Sequence, residues 1–119
     1  LRGPTAIGSG CHVGNAVEIK ASILMDGVSI GHLSYVGDSI IGCRTNFGAG
    51  TITANLRHDG ANQRSAINGE LVDTRRRKLG AVIGDDVHTG INTSIYPGRK
   101  LWPGVSTLPG EIVKCDVKG

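Results

Sequence analysis

The 119-residue chain contains few aromatic side chains: one Phe, one Trp and two Tyr. So few rings exclude a compact core built on aromatic packing. They also leave few platforms on which bases could stack, so no nucleic-acid partner is expected. The net charge of +3 is an ordinary surface charge that permits a small anionic ligand without requiring one.

Cysteine is also scarce, and Cys11, Cys43 and Cys115 form no C-x-x-C pair. An odd number of unpaired cysteines predicts free thiols in a reducing compartment, and therefore a cytoplasmic location. No apolar run approaches the roughly 18 residues of a membrane span, so no membrane association is expected. The first residues lack the apolar core of a signal peptide. They also begin part-way through the six-residue repeat described below, which suggests a piece of a longer chain.

What the chain does have is a six-residue rhythm, in which an aliphatic residue returns at every sixth position with Gly usually following it. Two runs keep step: Leu1, Ile7, Val13, Ile19, Met25, and Ile83, Thr89, Ile95, Leu101, Thr107, Val113. This period belongs neither to a helix nor to a plain strand, and it predicts a parallel β-helix. Three hexads make one triangular coil, with the first residue of each hexad pointing inward. We expect a single all-β domain over residues 1–119, with about five coils.

The rhythm is interrupted in two ways. The hexads M-D-G-V-S and V-G-D-S-I are each one residue short, and His32 and Tyr35 lie between them. A short hexad is either a tolerated kink or a device that redirects the side chains beside it. Residues 54–80 abandon the period altogether and are polar, so they are predicted to form a long inserted loop with a functional role.

Several ionisable groups are predicted to meet at one edge of the prism, with the hexads assigned in turn to faces A, B and C. Arg2 and Lys20 occupy the slot where Gly is usual and lie one coil apart on face A. Two cations held together favour a phosphate between them. Glu18 and Tyr35 end face-C hexads and approach the same edge, and His32 precedes Tyr35 by three residues on that face. A nearby carboxylate could orient the imidazole as a general base.

The stretch Gly31 to Asn55, G-H-L-S-Y-V-G-D-S-I-I-G-C-R-T-N-F-G-A-G-T-I-T-A-N, resembles the acetyltransferase domain of bifunctional N-acetylglucosamine-1-phosphate uridyltransferases. The segments V-E-I-K and L-R precede it at matching distances. The later R-R-R-K-L-G and I-G-D-D-V-H-T-G-I-N are closer to the archaeal sugar-1-phosphate nucleotidylyltransferase/acetyltransferases. The nucleotidyltransferase domain of that family has no counterpart here, because the chain contains no Gly-rich nucleotide loop.

The resemblance implies a left-handed parallel β-helix of hexapeptide repeats and a transfer of acetyl from acetyl-CoA to the amine of glucosamine-1-phosphate, with galactosamine-1-phosphate as a further acceptor. It implies that His32 is the general base, that Glu18 holds the imidazole, and that the Ala49 N–H faces the thioester oxygen. Catalytic roles would thus fall on His32, Glu18, Ala49 and Asn55. Residues of the acceptor site would be Arg2, Lys20, Tyr35, Asn46 and Asn55.

The resemblance further implies a homotrimer with active sites between subunits and contacts between basic residues and the phosphates of CoA. Besides Ala49, the candidates for the CoA site are Arg75, Arg76, Arg77, Lys78, Arg99 and Lys100, although each is also compatible with a solvated basic surface. No metal is expected to be required. The carbonic anhydrases that share this prism use three zinc histidines, and the four histidines here are too widely spaced along the sequence to supply them from one subunit.

Two other functions remain open from the sequence. The coil could be a non-catalytic, trimerising and stabilising tail of a nucleotidylyltransferase. It could also be another hexapeptide acetyltransferase, acting on serine, maltose or an antibiotic, for which a sugar-phosphate site like that of Arg2 and Lys20 would not be needed.

Overall fold

The computed structural model describes residues 3–55, 59–68 and 70–118. Within these ranges all named elements are β-strands, and no helix is long and apolar enough to cross a membrane. In chain order the strands are β1 (Ala6–Ile7), β2 (His12–Asn15), β3 (Glu18–Lys20), β4 (Ile23–Leu24), β5 (Ser29–His32), β6 (Tyr35–Gly37), β7 (Ile40–Ile41), β8 (Asn46–Phe47), β9 (Ile52–Thr53), β10 (Arg64–Ile67), β11 (Glu70–Asp73), β12 (Val82–Ile83), β13 (His88–Thr89), β14 (Ser94–Ile95), β15 (Lys100–Leu101) and β16 (Ile112–Val113).

Fourteen of the strands form three parallel sheets, which are the three faces of a prism. Face A has the strand order β3-β6-β9-β14-β16, face B β1-β4-β7-β12-β15, and face C β2-β5-β8-β13. Isolated bridges join His88 to Ser106 and Leu101 to Val117, and so extend faces C and B by one layer. Because the chain visits each face in turn and pairs with the coil before it, the predicted parallel β-helix of hexapeptide repeats is confirmed.

The core is a stack of small inward-facing side chains. Ile19, Ile30 and Val36 are fully buried, and every member of the second predicted run from Ile83 to Val113 is buried. In several hexads a second inward position lies two residues before such a residue, and it holds Thr45, Thr51, Val87 and Thr93, all fully buried. The buried threonine hydroxyls bond to one another, for example Thr93 to Thr107 at 2.7 Å. A narrow prism can therefore enclose hydroxyls without leaving them unpaired.

The predicted register is wrong at one position. Leu24, not Met25, points inward: the side chain of Leu24 is 2% exposed and that of Met25 is 42% exposed. Ile7 pairs with Leu24 and Leu24 with Ile41, so the coils in this half of the chain have 17 residues. The short hexad is therefore I-K-A-S-I, one hexad earlier than predicted. The second short hexad, V-G-D-S-I, lies where the sequence placed it, since Val36 and Ile41 are both fully buried.

Both short hexads turn the chain from face A to face B, and this edge is called edge A/B. The turns contain Ala21 and Asp38, each with a positive φ, of 48° and 50°. Each turn is followed by a buried serine, Ser22 or Ser39, whose hydroxyl donates to the carbonyl of Lys20 or Gly37. The Ser22 hydroxyl in turn accepts the N–H of Ser39 at 3.1 Å. Stacking two tightened turns in this way brings the ends of β3 and β6 close together.

The insertion leaves the prism at edge A/B, after β9, and carries the antiparallel hairpin β10–β11. It returns where the N–H of Leu79 donates to the carbonyl of Asn55 at 3.0 Å and that of Gly80 to the carbonyl of Asp38 at 2.8 Å. Gln63 is buried at the root of the insertion, and its amide donates to the carbonyls of Asn55 and Arg77 at 3.2 and 2.8 Å. The insertion is therefore attached to the prism beside Asn55.

Replacing Gln63 by Leu is expected to loosen the insertion while leaving the coils folded. The substitution removes the hydrogen bonds of Gln63 to the carbonyls of Asn55 and Arg77, and among the described residues only the Asn55 carbonyl keeps a second donor, the Leu79 N–H. Loss of a partner by a buried polar group costs about 1–3 kcal/mol. Limited proteolysis should cut the hairpin faster in Gln63→Leu than in the wild type. Leu71→Ala, on the exposed face of β11, is the matched control and should be cut at the wild-type rate. Equal cutting of Gln63→Leu and wild type would show that Gln63 does not hold the insertion.

Candidate functional site

The strands β3 and β6 bring the predicted acceptor residues side by side on face A. Glu18 pairs with Tyr35 and Lys20 with Gly37, one coil apart. Glu18 and Lys20 flank the buried Ile19, so both side chains lie on the outer side of the same strand. The predicted stacking of Glu18 and Tyr35 is present. However, these residues begin strands of face A rather than ending strands of face C.

A polar cluster lies at edge A/B, where face A ends. The amide of Asn55 donates to the Tyr35 hydroxyl at 3.2 Å and to the Asp38 carboxylate at 2.7 Å. The Lys20 ammonium lies 3.4 Å from the same carboxylate oxygen of Asp38. The side chains of Lys20 and Asp38 are 21% and 7% exposed, so this ion pair is largely shielded from water. We call Lys20, Tyr35, Asp38 and Asn55 the acceptor cluster.

Gly37 explains how the cluster fits against the sheet. A Cβ at this position would overlap the Tyr35 hydroxyl and would lie 2.8 Å from the amide nitrogen of Asn55. Glycine in the second slot of this hexad therefore leaves the space that the phenol and the amide fill.

Asp38 was missed by the sequence reasoning, although a signal for it exists. It is the polar residue of the short hexad V-G-D-S-I, and the shortening places it next to Lys20 in the coil before. Its N–H donates to the carbonyl of Lys20 at 2.9 Å. Asp is one of the few residues that readily adopt a positive φ, so the position alone resembles an ordinary turn residue.

The prediction that all the ionisable groups share one edge is wrong, because Lys20 does not lie at the same edge as His32. This residue ends β5 on face C, is exposed, and precedes the turn from face C to face A, called edge C/A. Lys20 ends β3 on face A, at edge A/B. Within the acceptor cluster, Tyr35 begins β6 next to edge C/A, whereas Lys20, Asp38 and Asn55 meet at edge A/B. The sequence placed His32 and Tyr35 on a single face, but a turn at Leu33, with φ 50°, intervenes between them.

Ala49 lies beside His32 along edge C/A. The register of β5 and β8 puts Ala49 one coil beyond His32, and the Gly50 N–H donates to the His32 carbonyl at 3.3 Å. Asn46, in contrast, begins β8 at the far end of face C and pairs with Ser29. The structure therefore brings His32 and Ala49 together, but it places Asn46 and Asn55 on different faces. The predicted phosphate ligand Arg2 lies outside the described residues.

The basic residues considered for CoA differ in their surroundings. Arg99 donates to the carbonyls of Lys114 and Arg64 at 2.9 and 3.2 Å, and Lys100 donates to the carbonyl of Ala66, so both attach the hairpin to the last coils. The other candidates, Arg75, Arg76, Arg77 and Lys78, are exposed on the returning arm of the insertion.

A groove of about 270 Å³ runs beside the acceptor cluster on the face-B side of edge A/B. Arg76 and Leu79 of the insertion form one wall, and the outward side chains of Ile23 and Ile40 form the other, with Asp38 at one end. The groove thus joins an apolar surface to a cation and to the cluster. Over the part of the chain that the structure describes, no three His, Cys, Asp or Glu side chains group closely enough to hold a metal ion.

A second carboxylate stands in a turn on the opposite side of the prism. Asp86, with φ 58°, forms two hydrogen bonds with Arg44, at 2.8 and 3.0 Å. The guanidinium lowers the pKa of Asp86, first through the hydrogen bond and then through its charge. Both side chains are more than half exposed, so this pair is a surface feature of the edge between faces B and C.

Comparison with known proteins identifies the family. The profile of the GMPPB C-terminal domain family matches residues 3–98. The chain belongs to that family. It is 49% identical over 105 residues to the bifunctional sugar-1-phosphate nucleotidylyltransferase/acetyltransferase of Sulfurisphaera tokodaii, a match that covers 88% of this chain and 26% of that protein. It is 41% identical over 117 residues to the bifunctional protein GlmU of Azotobacter vinelandii, covering 98% of this chain and 22% of that one.

The family members that match most of this chain are thus much longer proteins, of which it spans about a quarter. They confirm the resemblance drawn from Gly31 to Asn55. Among solved structures, the acetyltransferase domain of PglB from Neisseria gonorrhoeae superposes with a TM-score of 0.62 over 98% of this chain and 50% of that one, at 16% sequence identity. At that identity the likeness supports the hexapeptide-repeat fold alone.

Proposed function

We propose that the chain is an acyltransferase domain that transfers acetyl from acetyl-CoA to the amine of an amino-sugar 1-phosphate, glucosamine-1-phosphate and galactosamine-1-phosphate being the acceptors. The observation that carries the proposal is the acceptor cluster. It combines a shielded ammonium, which suits a phosphate, with an amide and a phenol, which suit the polar groups of a sugar. The names of its relatives point to the same chemistry.

In the proposed reaction the amine nitrogen attacks the thioester carbon, and His32 accepts the proton that the nitrogen loses. The new C–N bond forms as the C–S bond breaks, and the thiolate of CoA leaves and is protonated. Glu18 supports the imidazole, and the Ala49 N–H stabilises the oxyanion that develops on the thioester. Lys20, together with Arg2, binds the phosphate, while Tyr35, Asn46 and Asn55 hold the sugar.

Trimerisation would complete this site. Within one chain, His32 and Ala49 lie at edge C/A, whereas Lys20 and Asn55 lie at edge A/B. An edge of one prism packed against a face of the next would enclose the substrate between the two subunits. Large apolar side chains that are exposed around face A, namely Leu33, Ile52 and Ile91, support such packing. Arg76 in the groove and the exposed Arg75, Arg77 and Lys78 are the basic residues best placed for the phosphates of CoA; Arg99 and Lys100 are already engaged by the hairpin.

Acetyl-CoA is consumed as a co-substrate, and the transfer itself needs no metal. The thiols of Cys11, Cys43 and Cys115 are free, which suits the reducing cytoplasm where we place the reaction.

A panel of acceptors tests the proposal. The chain is incubated with acetyl-CoA, and thiol release is followed with glucosamine-1-phosphate, galactosamine-1-phosphate, glucosamine and serine, with an acceptor-free reaction as the control for hydrolysis. Turnover confined to the phosphorylated amino sugars is expected, because the Lys20 ammonium binds the phosphate group that only these acceptors carry. Turnover of serine alone would overturn the assignment. No turnover by a protein that sedimentation shows to be trimeric would indicate a stabilising tail instead.

A further inference from the structure

The amide of Asn55 is held in one orientation by its neighbours. A carboxylate only accepts hydrogen bonds, so the atom of Asn55 that lies 2.7 Å from Asp38 must be the amide nitrogen and not the oxygen. The same nitrogen lies 3.2 Å from the Tyr35 hydroxyl. An amide nitrogen has two N–H bonds, and both are therefore used within the protein. The oxygen is therefore what the Asn55 side chain can offer to a ligand.

We propose that Asp38 is a positioning residue, which fixes Asn55 with its oxygen toward the acceptor. This inference rests on the proposed function, and it specifies what Asn55 does there. The side-chain oxygen accepts a hydrogen bond from the acceptor amine, which directs the nitrogen lone pair away from Asn55 and toward the acyl donor. Asn55 holds the amine but does not take its proton.

The same carboxylate oxygen also lies 3.4 Å from the Lys20 ammonium. Asp38 therefore ties the group that suits a phosphate to the group that suits an amine, and it holds the two at a fixed separation. An acceptor with only one of these groups gains only part of the interaction. Asp38 also neutralises the shielded ammonium when no ligand is present, which lowers the cost of keeping that charge partly buried.

The backbone around Asp38 allows a clean substitution. Asn adopts a positive φ as readily as Asp does, so Asp38→Asn preserves the turn while removing the charge. The new amide can offer either its oxygen or its N–H groups to Asn55, so it no longer fixes the Asn55 amide in one orientation. Asn55→Asp places two carboxylates together. The double variant Asp38→Asn/Asn55→Asp exchanges the two groups and restores a donor–acceptor pair, with a carboxylate oxygen again facing the acceptor.

The test is a double-variant cycle on kcat/KM for glucosamine-1-phosphate, measured with the full chain. Each single variant should lower kcat/KM by about 10- to 100-fold, the effect of losing a hydrogen bond to a charged group. The exchanged variant should recover at least about 10-fold over the product of the single effects. The KM for acetyl-CoA should stay at the wild-type value in all three. Asp86→Asn, which replaces the other carboxylate at a positive-φ turn, is the matched control and should behave as wild type.

Single effects that simply multiply in the exchanged variant would overturn the proposal, because a turn residue with a purely structural role has no reason to couple to Asn55. A second readout does not depend on activity. In the wild type the side-chain amide protons of Asn55, assigned by their loss in Asn55→Asp, should exchange slowly in NMR spectra, and in Asp38→Asn they should exchange fast. A wild type that turns over no amino-sugar phosphate but shows slow exchange refutes the proposed function alone; fast exchange in the wild type refutes the orientation itself.

Discussion

His32→Ala is expected to lower kcat for the amino-sugar phosphate by about 10²- to 10⁴-fold, which is the usual contribution of a general base. His32 stands exposed at the end of β5, with Ala49 one coil beyond it, whereas Lys20, Asp38 and Asn55 meet at edge A/B. Because Lys20, Asp38 and Asn55 contact one another without His32, removal of the imidazole should leave acceptor binding intact. We therefore expect kcat to fall while the KM for the acceptor changes little.

Steady-state kinetics with thiol release as the signal would measure this effect, with His12→Ala as the control. His12 is also an exposed histidine on face C, at the start of β2, and its loss should not change kcat. The residual rate of His32→Ala should exceed that of the uncatalysed reaction, since positioning and the Ala49 N–H remain. An unchanged kcat would remove His32 from the base role. A rise in KM alone would instead indicate that His32 binds the acceptor.

Leu24→Ala is expected to destabilise the fold by about 2–5 kcal/mol, the range for truncating a buried leucine. Leu24 lies in the inward stack of face B, between Ile7 and Ile41. The prism is narrow, so the coils have little freedom to close over the cavity. Met25 follows it directly and points outward. Met25→Ala should change stability by about 0.5 kcal/mol or less, as is usual for surface positions.

Denaturant unfolding of the two variants at one protein concentration, followed by circular dichroism, gives the comparison. The pair tests the register directly, because counting by sixes along the sequence would assign the larger effect to Met25. A greater loss of stability in Met25→Ala than in Leu24→Ala would mean that the chain is shifted by one residue in this coil. Ile23→Ala, on the other side of Leu24 and also exposed, should behave like Met25→Ala.

The two short hexads show where the six-residue repeat is no longer sufficient to assign the inward-facing residues. V-G-D-S-I was located correctly because Ile41, and not Ile40, is followed by the Gly that usually occupies the second position of a hexad. In I-K-A-S-I-L-M, three consecutive apolar residues, Ile23, Leu24 and Met25, are each acceptable inside. The choice among them was made by pairing across coils, which puts Leu24 beside Ile41 and Ser22 beside Ser39. Such pairing joins residues 17 apart and is not a local property.

In the candidate site, too, some contacts follow from the six-residue repeat and others do not. The stacking of Glu18 on Tyr35 follows from counting, and the sequence predicted it. The contacts of Asp38 with Lys20 and Asn55 do not, because Asn55 reaches the cluster only where the insertion begins. Tyr35 was assigned to the wrong face because the turn at Leu33 has neither Gly nor Asn to mark it, although the backbone of Leu33 adopts the same left-handed conformation.

The sequence by itself determined the parallel β-helix, most of its inward stack and the place of the insertion, because a period of six on both sides of residues 54–80 leaves few ways to bury the aliphatic side chains. Only the tertiary structure decided which turns are tight and which polar groups meet there. Those contacts depend on the lateral register of neighbouring coils and on the root of an insertion without a repeat, and neither is encoded in the spacing of nearby residues.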